Sequence, residues 1–151
     1  MEQIYETIKV TTNGEGFVNI TPELNQFIKT YNLSSGILMV NSMHTSCSLL
    51  VNENADSNVL YDLKKYLKSI VPEISYRSLA IEKEEITYKH FQEGSDDMPA
   101  HIKTALTNTS LSFSFIDKKL VLGTWQSIYL WEHRFESKNR SIHLHAIGEK
   151  D

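Results

Sequence analysis

Apolar and polar positions alternate over residues 3–12, with Ile4, Ile8 and Val10 on one side and Tyr5, Thr7 and Lys9 on the other. A period of two predicts a half-buried strand. Asn13-Gly14-Glu15-Gly16 is a turn signal, and residues 17–20 resume the extended pattern. Thr21-Pro22 then predicts a short helix, with Thr as cap, Pro in the first turn and a stripe of Leu24, Phe27, Ile28 and Tyr31. Ser34-Ser35-Gly36 reads as a loop, and residues 37–41 as a strand leading towards His44.

The stretch from His44 to Asp56 organises the rest. A histidine and two hydroxyls precede the apolar Leu49-Leu50-Val51, and Asn52, Glu53, Asn54 and Asp56 follow it. This predicts a buried strand whose polar ends meet a pocket, although Asn and Asp that merely cap would give the same pattern. Asp56 is placed to cap a helix, because Val59, Leu60, Leu63, Leu67 and Ile70 recur at near-helical spacing. Val71-Pro72-Glu73 breaks it. Strand-like pieces around Leu79-Ala80-Ile81 and Ile86-Thr87-Tyr88 precede an acidic loop, residues 93–97.

Residues 98–106 predict a third helix, with Asp96 or Asp97 capping it or favouring its positive end. Leu111, Phe113 and Phe115 alternate with Ser112 and Ser114 in another half-buried strand. Over residues 125–134, Gln126, Ile128, Leu130 and Glu132 oppose Trp125, Tyr129 and Trp131, so this strand is expected to be covered on both faces. Residues 140–147 give a last strand. Strands at both ends with helices between them, and no linker or repeat, predict one α+β domain spanning residues 1–151 with a main antiparallel sheet or a sandwich.

Charge and composition narrow the function. A net charge of −4 argues against a nucleic-acid partner bound through a broad basic surface. The single cysteine, Cys47, lies in an apolar strand, allows no intramolecular disulfide and points to an inert, buried thiol in a cytoplasmic protein. No apolar run approaches the ~18 residues of a membrane span, so no membrane partner is expected.

Chemistry concentrates in a few places. His44, His90 and His101 each sit beside a polar cluster, and converging imidazoles are how a protein holds zinc or a similar ion. No pair has the spacing of a known zinc motif, so separate packing or capping roles remain the plain alternative. His143 and His145 share one strand face, and His133, between Glu132 and Arg134, is expected at an exposed strand end. Asp96 and Asp97 beside Glu93 can bind a divalent ion or simply form a solvated loop. Lys103, Arg134 and Arg140 are candidates for an anionic group.

Three blocks in order carry a family resemblance: His44-Thr45-Ser46 with Asn52 to Asp56; Glu93-Gly94 with Asp97-Met98-Pro99-Ala100-His101-Ile102-Lys103; and Leu122-Gly123-Thr124-Trp125-Gln126 with Glu132-His133-Arg134. With them the chain resembles the YjbQ-like family, often described as secondary thiamine-phosphate synthases, over nearly its whole length. The resemblance implies a mixed, largely antiparallel β-sandwich with about three helices, and a homotrimer. It also implies one pocket that gathers the three blocks. It departs from the family pattern at Cys47-Ser48, Lys118, Ser127 and Trp131, where smaller residues or Gly are usual.

What the resemblance implies is a transferase that joins a pyrimidine pyrophosphate to a thiazole phosphate. Catalytic candidates are His44, Glu53, Asp97, His101 and Gln126; Lys103, Trp125 and Arg134 would hold the phosphorylated ligand. A divalent metal, Zn or Mg, would sit on His44, His90 and His101 or beside Asp96 and Asp97. The alternatives are a metal-dependent hydrolase and a non-catalytic binder of a small phosphorylated molecule. Three histidines gathered at one mouth of the sandwich is the sharpest expectation.

Overall fold

The computed structural model describes residues 1–80 and 84–151. In chain order the elements are β1 (Glu2–Thr11), β2 (Gly16–Asn19), α1 (Thr21–Thr30), β3 (Leu33–Ser42), β4 (Cys47–Glu53), α2 (Ser57–Ile70), β5 (Ser75–Arg77), β6 (Glu85–Thr87), α3 (Asp97–Leu106), β7 (Ser110–Ile116), β8 (Lys119–Leu120), β9 (Gln126–Glu132) and β10 (Asn139–Lys150). Five strands form one sheet in the order β1-β10-β3-β7-β8, and β2-β9-β4 form a second; β5 and β6 make a hairpin. Neighbouring strands run antiparallel throughout. The fold is α+β with three helices.

The main core lies between the two sheets and α1. Leu38 and Val40 of β3, Leu49 of β4, Ile128 and Leu130 of β9 and Ile142 and Leu144 of β10 meet there, with Leu24 and Ile28 of α1. β9 is covered on both faces, as its pattern predicts. Its second face, Tyr129 and Trp131, packs within the same chain: Trp131 joins Leu67, Val71, Phe17, Leu50, Leu63 and Ile102, and Phe17 stacks on the Trp131 indole. A neighbouring subunit is therefore not needed to cover this strand. Apolar side chains are exposed on the outer face of the large sheet, at Tyr5, Ile37, Met39 and Ile116.

Local chemistry explains the element ends. Asp56 caps α2, its carboxylate accepting from the Asn58 N–H at 2.9 Å. Thr21 begins α1 but does not cap it; its hydroxyl accepts from the Ile128 N–H at 2.8 Å and so ties the helix to β9. The expected loop at Ser34-Ser35-Gly36 is instead part of β3. Gly36 faces Gly148 across the ladder, and a Cβ on Gly36 would lie 2.2 Å from the Ile147 carbonyl oxygen. The glycine is there for close approach, not for a turn. Of the strand-like piece around Leu79-Ala80-Ile81, Ile81 lies outside the described residues, and Leu79 and Ala80 form a turn. Trp125 also belongs to a turn, and β9 starts at Gln126.

Candidate metal site

α3 sets the geometry. Asp97 and His101 are four residues apart, hence on one face of the helix. His90, from the segment before α3, reaches the same face: its Nε2 lies 2.6 Å from Asp97 Oδ2, and His101 Nε2 lies 3.6 Å from Asp97 Oδ1. One ligand atom from each of His90, Asp97 and His101 falls within 4.8 Å of the others. A tetrahedral ion with bonds of about 2.1 Å spaces its ligand atoms by roughly 3.4 Å, so a small adjustment fits one here.

Neighbouring groups orient two of the three ligands. His101 Nδ1 lies 2.8 Å from the Thr45 carbonyl oxygen, which can only accept. The proton is therefore on Nδ1, and Nε2 offers its lone pair towards Asp97, the arrangement that metal-binding histidines use. Asp97 is buried, with 2% of its surface exposed, and Arg134 Nη1 donates to its Oδ1. Arg134 is itself fixed by Asp96 Oδ2 at 2.9 Å and the Glu93 carbonyl at 2.8 Å. Asp96 occupies the N-cap position of α3 yet makes no capping bond, because its carboxylate serves Arg134 and the Phe135 N–H. Burial alone would raise the Asp96 pKa, but the Phe135 N–H and the Arg134 guanidinium outweigh it and hold the carboxyl below its usual range.

The expected trio of His44, His90 and His101 is corrected in one member. His44 Nε2 accepts from the Ser141 N–H at 2.7 Å and does not join the cluster; Asp97 takes the third place. Aspartate at four residues before histidine was a readable signal, whereas the Ser141 bond spans the fold. Lys103 and Arg134, expected on phosphates, are both buried against carboxylates, Lys103 on Glu15 at 2.9 Å. Arg140 grips Glu132, with Nε at 2.7 Å from Oε2.

His133 is buried, not exposed as its charged neighbours suggested. Its Nε2 lies 2.9 Å from Ser48 Oγ, and its Nδ1 has no partner among the described residues. Burial, reinforced by Lys103 and Arg140, depresses its pKa to about 3.

The remaining candidates lie elsewhere. Glu53 pairs with Gln126 in register at one end of the β4–β9 ladder, while Cys47 pairs with Glu132 at the other. Seven paired residues at about 3.3 Å each separate the ends by roughly 20 Å. Within one chain, Glu53, Trp125 and Gln126 therefore do not share a mouth with the histidine cluster. Gln126 Oε1 accepts from the Gly123 N–H at 2.7 Å, closing its own turn, and the Trp125 side is open, with 64% of the residue exposed.

Comparison with known proteins adds the family. Residues 6–149 match the model of the UPF0047 protein YjbQ-like family. A UPF0047 protein of Synechocystis sp. is 37% identical, over 97% of this chain and 93% of its own. UPF0047 protein YjbQ of Escherichia coli O157:H7 is 34% identical, over 95% and 97%. The crystal structure of an uncharacterised conserved YjbQ/UPF0047 family protein from Clostridium acetobutylicum superposes with a TM-score of 0.76 at 30% identity, covering 95% and 99% of the two chains.

Proposed function

Since the chain belongs to the UPF0047 protein YjbQ-like family, we propose from its site that it is a metal-dependent enzyme acting on a small phosphorylated molecule. The carrying observation is the group of His90, Asp97 and His101, in which the Thr45 carbonyl sets the His101 tautomer and Arg134 holds the Asp97 carboxylate. A bound divalent ion would supply Lewis acidity towards a phosphoryl oxygen. Two nitrogens and one carboxylate leave positions open for ligand and water, which favours hydrolysis. Lys103 and Arg134, already neutralised by carboxylates, act as braces of the site rather than as phosphate clamps.

Elemental analysis of the protein purified without an affinity tag tests this reading. About one zinc or similar ion per chain is expected, lost in His101→Ala with the fold intact by circular dichroism; a metal-free wild type that also fails to bind added Zn²⁺ refutes it. Coupling of a pyrimidine pyrophosphate to a thiazole phosphate is the second reading, favoured by the exposed Trp125 indole, which is free to stack on a heterocycle. Incubation with those two precursors decides between coupling and hydrolysis.

We read the assembly as a homotrimer in the cytoplasm. The exposed Tyr5, Ile37, Met39 and Ile116 on the outer sheet face support an assembly. Among the described residues no helix is long and apolar enough to cross a membrane. Light scattering at micromolar concentration should give three times the monomer mass, and a monomer mass would end the proposal.

A further inference from the structure

Beside the metal site, the turn between β3 and β4 and the adjoining face of α3 border an open cleft, a solvent-exposed cavity of about 460 Å³. His44, Thr45, His101, Thr104 and Thr109 are among its lining residues. His101 thus belongs to both the ion cluster and this cavity, and His44, left out of the cluster, faces the same space.

The His44 tautomer follows from its partner. The Ser141 backbone N–H can only donate, and it points at His44 Nε2 from 2.7 Å. That nitrogen must carry its lone pair, so the ring proton sits on Nδ1. Among the described residues no protein group bonds Nδ1. Burial, and then the Arg140 guanidinium, also lower the His44 pKa, with Lys9 acting in the same direction and Glu132 against it. The ring is neutral, and as this tautomer it cannot take up a proton at its free nitrogen.

Two histidines on the lining of one cavity therefore end with opposite effects. Through Thr45 the chain turns His101 so that its Nε2 lone pair faces the ion cluster beside Asp97; through Ser141 it turns His44 so that its Nδ1–H has no protein acceptor among the described residues. An electron-pair donor for an ion and a hydrogen-bond donor for an oxygen then border one cavity. The Thr104 hydroxyl, on the same lining, is buried and has no partner among the described residues. Such a group costs stability unless a ligand or water completes it.

We propose that His44 is a fixed hydrogen-bond donor, through Nδ1–H, to a phosphoryl oxygen of a ligand seated in this cavity next to the ion on His90, Asp97 and His101. The proposal rests on the metal reading above for the ligand's second anchor. It makes His44 neither a metal ligand nor a general base. A neutral donor suits an oxygen that gains charge without adding a cation beside the ion.

The test uses the Zn²⁺-loaded protein and inorganic phosphate. His44→Gln keeps an acceptor for the Ser141 N–H but has no donor at the Nδ1 position, while His44→Asn places an amide donor there. Calorimetry should show phosphate affinity about tenfold weaker in His44→Gln, the size of a lost hydrogen bond to a charged acceptor, and partly recovered in His44→Asn. Zn²⁺ affinity should be unchanged in both. Long-range ¹⁵N spectra of the wild type should show the Nδ1–H tautomer, shifted on adding phosphate. An Nε2–H tautomer, equal phosphate affinity in wild type and His44→Gln, or loss of Zn²⁺ binding in His44→Gln would each overturn the assignment. Failure of the wild type to bind Zn²⁺ instead removes the metal reading, and the phosphate-induced shift at His44 then decides this one separately.

Discussion

Two arginine–carboxylate pairs flank His133, and they are finished differently. Glu132 at the end of β9 is fully buried and accepts from five donors: Arg140 Nε and Nη2, the Thr12 hydroxyl and the backbone N–H groups of His133 and Arg134. Asp97, held by Arg134 two residues further on, keeps one side turned to two imidazoles, one of them at 3.6 Å. The first cluster is closed and has nothing left to offer a ligand. The second is incomplete towards solvent. Burial and charge are similar, so it is the unfilled coordination that sets the candidate site apart from the closed pair. Arg140 also donates to the Ser46 carbonyl and hydroxyl, so the closed pair braces the turn that carries His44 and Thr45.

The contrast breaks most visibly at the closed pair. Arg140→Met leaves the Glu132 carboxylate buried without its partner and should cost about 3–5 kcal/mol of stability in urea denaturation. Asp97→Asn should cost much less and remove metal binding. An equal loss of stability from both would erase the distinction.

Acid probes the residue between the pairs. The folded His133 binds its proton only near pH 3, whereas the unfolded one does so near 6.5, so the unfolded state holds more protons between those values. Its contribution to stability is complete above pH 6.5 and is lost as pH falls towards about 3, at up to about 1.4 kcal/mol per pH unit. Denaturation of His133→Gln at pH 7 and pH 4 should show a shallower decline than the wild type. Parallel curves would refute the assignment.

Arg134→Gln sharpens the comparison from the open side. It removes the group that orients Asp97, and Zn²⁺ affinity measured by calorimetry should fall about 10–100-fold. The smallest effect belongs to Thr12→Val, which takes one of five donors from Glu132. A loss of about 1 kcal/mol, with Zn²⁺ affinity unchanged, is expected from thermal or urea unfolding.

Much of the fold was readable because it is written in local periods. β1, β10, the β4–α2 unit with its Asp56 cap and the doubly covered β9 all follow from spacing over a few residues. The site was readable as blocks and not as contacts. Sequence places His44 with the ion because nothing near it reveals the Ser141 N–H, 97 residues away. Glu132 and Arg134 make the His133 stretch read as surface, yet both are buried by partners from other elements. Trp125 and Gln126 read as neighbours of the histidines because order along a chain does not say which end of a strand pair a block occupies.

The facing glycines of the large sheet carry a further consequence. Side chains in a strand repeat every two residues, so a slip of two keeps every apolar group on its proper face and leaves the hydrophobic pattern blind to the error. Gly36 and Gly148 are register partners, and the buried Phe115 ring comes so close that its Cζ would lie 2.8 Å from a Cβ on either. After a two-residue slip of β10 or β7 against β3, side chains would crowd that space. The ring and the two bare backbones thus act as a proofreading mark: they reject misalignments that burial alone would accept, in the sheet whose central strand leads directly to the His44 turn.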